Sequence, residues 1–191
     1  MTAATFVHLR VHTEFSLIDG LTRVKPLIKA VAEDGMPAVA VTDQSNLCAL
    51  VKFYSNARQS GIKPIVGADL WLDNAQNDGQ PYRVTLLVLN KVGYGNLTKL
   101  ISQAYLEGQR QGRPIVQREW LEQLNDGLIM LSGAREGDIG QALLNDENAD
   151  AEELAQRWQR FYPDRFYIEL QRTSRENEDR YLHLAFALAD K

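Results

Sequence analysis

Two hydrophobic patterns alternate along this chain. Short runs of β-branched or alternating residues, as at 6–11 and 38–42, are separated by segments whose apolar residues recur at helical spacing, as in Leu21, Val24, Ile28 and Val31. The latter segment stops near Gly35, with Pro37 beyond it as a helix stop signal. The pattern therefore predicts about six strand–helix units in succession.

The same reading sets the expected element bounds. The predicted strands are 6–11, 38–42, 64–66, 84–89, 128–131 and 166–170, with an extended piece at 70–72. The predicted helices are 21–31, 46–60, 97–105, 120–124, 139–144, 146–158 and 177–189. Loops are expected at 76–80 and 108–112.

Alternating strands and helices imply an α/β fold with parallel pairing. The succession fits a β/α barrel as well as an open doubly wound sheet. The chain stops on a helix at Lys191, without the strand that another repeat would add. We therefore expect residues 1–191 to be a single domain cut from a longer protein.

Composition narrows the possible functions. The 191 residues are 45% hydrophobic and 24% charged, with a net charge of -4, as is usual for a globular protein. Basic residues are interleaved with acidic ones, and this arrangement argues against a basic stripe that would bind DNA. Three histidines and one cysteine limit metal chemistry. The lone Cys48 and the lack of a signal peptide favour a cytoplasmic setting, and no apolar run approaches the ~20 residues that cross a membrane.

Candidate chemistry lies where the predicted strands end. In parallel β/α folds functional groups gather there, and the groups in this chain are His12, Asp19, Asp43 and Asp69. These residue types can ligate metals, but purely structural roles are open for three of them: Asp43 as a cap of the helix beginning near 46, Asp19 in a turn, and His12 as a core histidine. No nucleotide-binding or common hydrolase motif is present.

Several longer strings resemble one family. FVHLRVHTEFSLIDGL, MPAVAVTDQSNLCALVKFY and GIKPIVGADL, followed by GYGNLTKLIS, GLIMLSGAREGDIG and RFYIELQRTSRENE, resemble the PHP (polymerase and histidinol phosphatase) domains at the N-termini of bacterial DNA polymerase III alpha subunits. The resemblance implies a PHP-type (β/α)7 barrel, here lacking its last strand. In active relatives the strand ends carry a cluster of metal ions.

The ligand pattern of those active relatives is mostly replaced. Matching positions survive as His12, Asp19, Asp43 and Asp69, while ligands are replaced by Arg10, Gln44, Arg83, Ala134 and Thr173. A guanidinium cannot ligate a metal, but it can supply the positive charge that carboxylates would take from a dication. We therefore predict no metal, no cofactor and no catalytic residue here, and an ion pair of Arg10 or Arg83 with Asp19, Asp43 or Asp69.

The resemblance also implies a role. The leading interpretation is a non-catalytic scaffold that docks the epsilon proofreading exonuclease, within a DNA-directed DNA polymerase whose DNA contacts, magnesium and other holoenzyme contacts lie in other domains. The alternative is a metal-dependent phosphoesterase or pyrophosphatase using zinc or manganese. Direct template binding by this domain is the third and least favoured interpretation.

Overall fold

The computed structural model describes residues 6–17, 19–74 and 80–191. Within these ranges the α-helices are α1 (Val24–Glu33), α2 (Leu50–Gln59), α3 (Lys91–Leu106), α4 (Arg118–Gln123), α5 (Asp138–Leu144), α6 (Asn148–Phe161) and α7 (Glu178–Ala189). The strands are β1 (Ala38–Val41), β2 (Lys63–Leu72), β3 (Tyr82–Val88), β4 (Gln109–Arg110), β5 (Arg113–Val116), β6 (Leu128–Leu131) and β7 (Phe166–Tyr167). Short 3-10 turns lie at Glu14–Ser16 and Ala134–Glu136.

Residue contacts divide the chain into two compact units. The N-terminal unit comprises Met1–Asp69 and Leu86–Val88, and the C-terminal unit comprises Leu70–Thr85 and Leu89–Lys191.

The N-terminal unit is built on parallel pairing of β1 with β2. Ala38 lies opposite Lys63 and Val41 opposite Val66. The segment 6–11 runs beside β1, where the backbone N–H of Ala40 donates to the His8 carbonyl at 2.9 Å. This segment forms a bridge rather than a continuous ladder, so the predicted first strand is only an extended, partly paired segment.

The core of this unit follows the helical spacing of its apolar residues. Val24, Ile28 and Val31 lie on one face of α1 and are buried. They belong to the same apolar cluster as Phe53 and Ala57 of α2. This packing holds both helices against β1 and so orients the loops that follow the strands.

Helix α2 begins four residues later than predicted. The predicted start was near 46, but the helix begins at Leu50 and has no side-chain cap. Asn46 instead accepts the Cys48 N–H at 3.0 Å and donates to the Phe15 and Gln44 carbonyls. A polar turn, which competes with helix formation, therefore precedes α2.

The C-terminal unit contains parallel and antiparallel pairing. The end of β2 pairs in parallel with β5, with Trp71 opposite Ile115, and Met130 of β6 lies opposite Phe166 of β7. Strands β4 and β5 form an antiparallel hairpin whose two loop residues, Gln111 and Gly112, both have positive φ (50° and 77°). The predicted loop at 108–112 is thus largely a hairpin.

Helix α3 shows how this unit achieves close packing. Its N-cap Asn90 accepts the N–H groups of Val92 and Gly93, and a Cβ placed on Gly93 would collide with the Gly127 backbone. The helix then buries Leu97 and Leu100 at helical spacing. Only glycine at 93 allows this close approach.

The α/β class is confirmed, but the closed (β/α)7 barrel is not. Pairing follows the order β4-β5-β2-β3-β6-β7 with β1 on β2, and within the described ranges this order does not close on itself. Strand β7 pairs over two residues instead of the predicted five. The predicted loop at 76–80 lies outside the described residues except for Gln80, and none of the helices among the described residues is long and apolar enough to span a membrane.

Candidate functional site

The candidate site in the N-terminal unit is built where the residues that follow β1 lie beside Asp69 of β2. Asp43 follows β1 by two residues, and Asp69 lies within β2. The Asp69 N–H donates to the Asp43 carbonyl at 3.2 Å, and the Ser45 N–H donates to the Asp69 carbonyl at 2.8 Å. Both carboxylates are almost fully buried, at 1% and 0% exposure, so each requires compensating donors.

Arg10 supplies the main charge compensation for Asp69. Its Nη2 and Nε both donate to Asp69 Oδ2, at 2.5 and 3.1 Å. The Arg10 side chain is 12% exposed. The predicted pairing of an arginine with one of the surviving aspartates is therefore confirmed, with Arg10 and Asp69 as the partners.

His12 bridges two carboxylates. Its Nε2 lies 3.0 Å from Asp69 Oδ2, and its Nδ1 lies 3.0 Å from Asp19 Oδ1. Burial, the largest single effect, lowers the pKa of His12, and the charge of Arg10 lowers it further. The hydrogen bond and charge of Asp69, together with the charge of Asp19, outweigh these effects, so the pKa of His12 is raised. A raised pKa favours the imidazolium form of His12, in which both ring nitrogens donate to the facing carboxylates.

Asp43 is held by a separate set of hydroxyl and backbone donors. Thr13 donates its N–H to Oδ1 at 2.6 Å and its hydroxyl lies 2.8 Å from Oδ2, while the Ser16 hydroxyl donates to Oδ1 at 2.8 Å. Asp43 thus anchors the turn at 13–16 and does not cap α2. The sequence analysis missed Thr13 and Ser16, whose only signal is that they are hydroxyl residues close to His12.

Gln44 contributes a donor where active relatives are expected to have an imidazole acceptor. Its Nε2 donates to the Asp69 carbonyl at 3.0 Å and to the Ser45 hydroxyl at 3.1 Å. Its backbone N–H donates to the Ser16 hydroxyl at 3.1 Å. The side chain therefore ties together the ends of β1 and β2.

The other three replaced positions lie in the C-terminal unit. The Arg83 guanidinium stacks over the Trp71 ring, with its central carbon 3.9 Å from the ring centroid. Ala134 is buried in a 3-10 turn, and the exposed Thr173 donates its N–H and hydroxyl to Glu178 Oε2. We therefore assign the cluster of Arg10, His12, Asp19, Asp43, Gln44 and Asp69, all in the N-terminal unit, as the candidate site.

The donor set of this cluster does not fit a metal ion. A metal-bound histidine offers a free ring nitrogen, whereas both nitrogens of His12 lie 3.0 Å from carboxylate oxygens, and its raised pKa favours the protonated ring. Arg10 and His12 converge on the same oxygen of Asp69, and Asp43 accepts hydrogen bonds from Thr13 and Ser16. A dication at Asp69 would therefore compete with the Arg10 guanidinium for the same carboxylate.

The PHP domain family matches residues 8–173, and the chain belongs to this family. Its relatives include the DNA polymerase III subunit alpha of Pseudomonas fluorescens, which is 60% identical over 98% of this chain. The DNA polymerase III subunit alpha of Escherichia coli strain K12 is 49% identical over the whole chain. The chain spans about 16% of the length of each of these relatives.

One solved structure shares the fold over most of the chain. It is a candidate metal-dependent phosphoesterase from Bifidobacterium adolescentis, with a TM-score of 0.56 and 12% identity. The match covers 97% of this chain and 85% of that one. At this identity the likeness concerns the fold alone.

Proposed function

We propose that this chain is the PHP domain of a DNA polymerase III alpha subunit and acts there as a non-catalytic scaffold. The family part is supported by relatives that are 60% and 49% identical and are DNA polymerase III alpha subunits. The observation that carries the non-catalytic part is that Arg10 and His12 both contact the carboxylate of Asp69. Positions that would need open lone pairs for a metal hold donors instead.

The cluster has a structural task that suits a scaffold. Through Asp69 and Asp43 it joins the segment 10–16 to the ends of β1 and β2. Buried carboxylates with complete sets of donors rigidify their surroundings. A rigid domain surface lowers the ordering cost of a bound partner.

The finer parts of the proposal concern the whole polymerase. We assign the polymerase chemistry and its magnesium to parts of the longer protein outside this chain. The contacts with DNA and with other holoenzyme subunits are assigned there as well. The partner that docks on this domain is the epsilon proofreading exonuclease. We propose a cytoplasmic setting. Within the longer protein, we propose that this chain belongs to a single PHP domain that forms a (β/α)7 barrel. The alternation of strands and helices supports the barrel.

Metal content and hydrolysis test the non-catalytic part. We expect elemental analysis of the purified 191-residue chain to find no stoichiometric zinc or manganese. We also expect that any phosphomonoesterase or pyrophosphatase activity of the preparation is the same in His12→Ala as in the unmodified chain. His8→Ala is the matched control, because His8 is an exposed imidazole four residues away. Stoichiometric metal with activity abolished by His12→Ala but kept in His8→Ala would overturn the proposal in favour of a phosphoesterase.

Direct binding tests the scaffold part. The chain and the epsilon exonuclease are mixed in a calorimeter, with circular dichroism confirming that the chain is folded. We expect a saturable heat signal. Absence of binding by correctly folded chain would remove the docking role and leave only the non-catalytic conclusion.

A further inference from the structure

Two arginines share one tryptophan in the C-terminal unit. Trp71 lies near the end of β2, Arg83 near the start of β3, and Arg113 is the first residue of β5. The central guanidinium carbons of Arg83 and Arg113 lie 3.9 and 5.0 Å from the Trp71 ring centroid. We call these three partly buried residues the Arg–Trp stack.

The strand register explains why Arg113 meets the indole. Trp71 pairs with Ile115, and Arg113 precedes Ile115 by two residues on the same strand. Side chains two residues apart point to the same face of a sheet, so Trp71 and Arg113 lie side by side on one face. The backbone thus fixes the position of this cation.

Among the described residues, the hydrogen-bond and ring partners of the Arg113 side chain are neutral groups. They are the Trp71 ring and the Gln80 side-chain oxygen, which lies 3.5 Å from Nη1. The nearby acidic residue Asp73 already receives Arg110 at 2.6 Å. Arg113 therefore keeps a positive charge that no carboxylate of the described residues balances.

A guanidinium stacked on an aromatic ring keeps its N–H donors in its own plane. Those donors form a fork that matches the two oxygens of a carboxylate or phosphate group. Partial burial of Arg113 reduces competition from water. The overall charge of -4 favours a single small anion over a polyanion.

We propose that the Arg–Trp stack is a binding site for a small oxyanion, a phosphate or a carboxylate group, held by the fork of Arg113. The site goes beyond the proposed scaffold role and does not rest on it.

Titration of the 191-residue chain tests this site. The ¹⁵N-labelled protein is titrated with sodium phosphate and, separately, with sodium acetate, at constant ionic strength, while the indole N–H signal of Trp71 is followed. Trp71→Phe identifies that signal among the three tryptophans. We expect a saturable shift with one of the two anions. Saturation with phosphate alone would identify a phosphate site, and saturation with acetate alone would identify a carboxylate site.

Variants locate the binding. Arg113→Gln should weaken the affinity by about tenfold or more, since a charge-assisted hydrogen bond is lost. Arg160→Gln, which removes the same charge from an exposed position on α6, should leave it unchanged. Chloride should produce no saturable shift.

Several outcomes would overturn the site. They are no saturable shift with either anion, an undiminished affinity in folded Arg113→Gln, or an equal loss in Arg160→Gln. If Arg113→Gln fails to fold, Arg113→Lys retains the charge but removes the fork. An affinity of Arg113→Lys equal to that of the unmodified chain would then contradict the role assigned to the fork.

Discussion

Asp69 of the N-terminal unit and Asp138 of the C-terminal unit are both buried and are satisfied by similar donors. Asp69 of the N-terminal unit accepts Arg10 at 2.5 Å and a ring nitrogen of His12 at 3.0 Å. Asp138 of the C-terminal unit accepts Arg118 at 2.6 Å and the indole N–H of Trp158 at 3.0 Å. A guanidinium and a ring N–H thus satisfy both carboxylates.

The difference lies in the ring that donates. The His12 ring titrates and has a second carboxylate partner in Asp19, whereas the indole of Trp158 does not titrate and is fully buried. The Asp138 cluster is therefore a permanent part of a core, while the Asp69 cluster depends on protonation. The comparison shows that Asp69, at a position where active relatives are expected to hold a metal ligand, is held by an ion pair similar to that of Asp138.

The largest effect is expected in the C-terminal unit. Trp158→Ala should lower the free energy of unfolding by about 3–5 kcal/mol, because it leaves a cavity and removes a donor from Asp138. Urea denaturation measures the change. Trp158→Phe keeps most of the ring and should cost less, and an equal loss in both variants would show that the hydrogen bond to Asp138 outweighs the packing.

A somewhat smaller effect is expected from Arg10→Met. Removal of one partner of a buried ion pair costs about 3 kcal/mol, because Asp69 keeps a buried charge with less compensation. Urea denaturation at neutral pH measures it, with Arg23→Met as the control, since the Arg23 side chain is 79% exposed. Asp69→Asn added to Arg10→Met should restore part of the stability, and no restoration would mean that Arg10 acts through packing alone.

The smallest and most specific effect is a pH dependence. The pKa of His12 is raised on folding, so its ion pairs contribute fully below the unfolded pKa of about 6.5 and lose their contribution as the pH rises through the folded pKa. The stability of the unmodified chain should therefore fall across this range relative to His12→Gln. Chemical denaturation at a series of pH values measures both.

The Asp138 cluster supplies the contrast. The stability difference between the unmodified chain and Trp158→Phe should stay constant over the same pH range, because the substitution exchanges one non-titrating ring for another. A pH-independent difference between the unmodified chain and His12→Gln would contradict the raised pKa of His12. Such a result would remove the distinction between the two clusters.

Much of the local structure could be predicted from the sequence. The spacing of Val24, Ile28 and Val31 predicts α1, and the apolar run before Thr42 predicts β1, because periodicity reflects burial directly. The α4–β6 and α5–α6 stretches also follow their patterns to within a few residues. The β4–β5 hairpin was missed, since its strands are short and polar and its turn is Gln111-Gly112 instead of a common turn pair.

The site was predictable as a set of residues but not as a set of contacts. Motif positions singled out His12, Asp19, Asp43 and Asp69, and the arginine replacements predicted an ion pair without choosing its partners. The structure chose Arg10 with Asp69 and gave Asp43 to Thr13 and Ser16. Those contacts join residues 27 to 59 positions apart in the chain, and no local pattern encodes them.

The sequence by itself therefore determined the α/β class, the family and the chemical types present at the strand ends, because these depend on residue identity and spacing. Tertiary structure decided which donor meets which carboxylate, whether His12 is held between two acids, and that Arg113 is placed on Trp71. The physical reason is that a buried charge is settled by whichever donors the packed backbone brings within about 3 Å of it. That geometry exists only once β1, β2 and the segment 10–16 have come together.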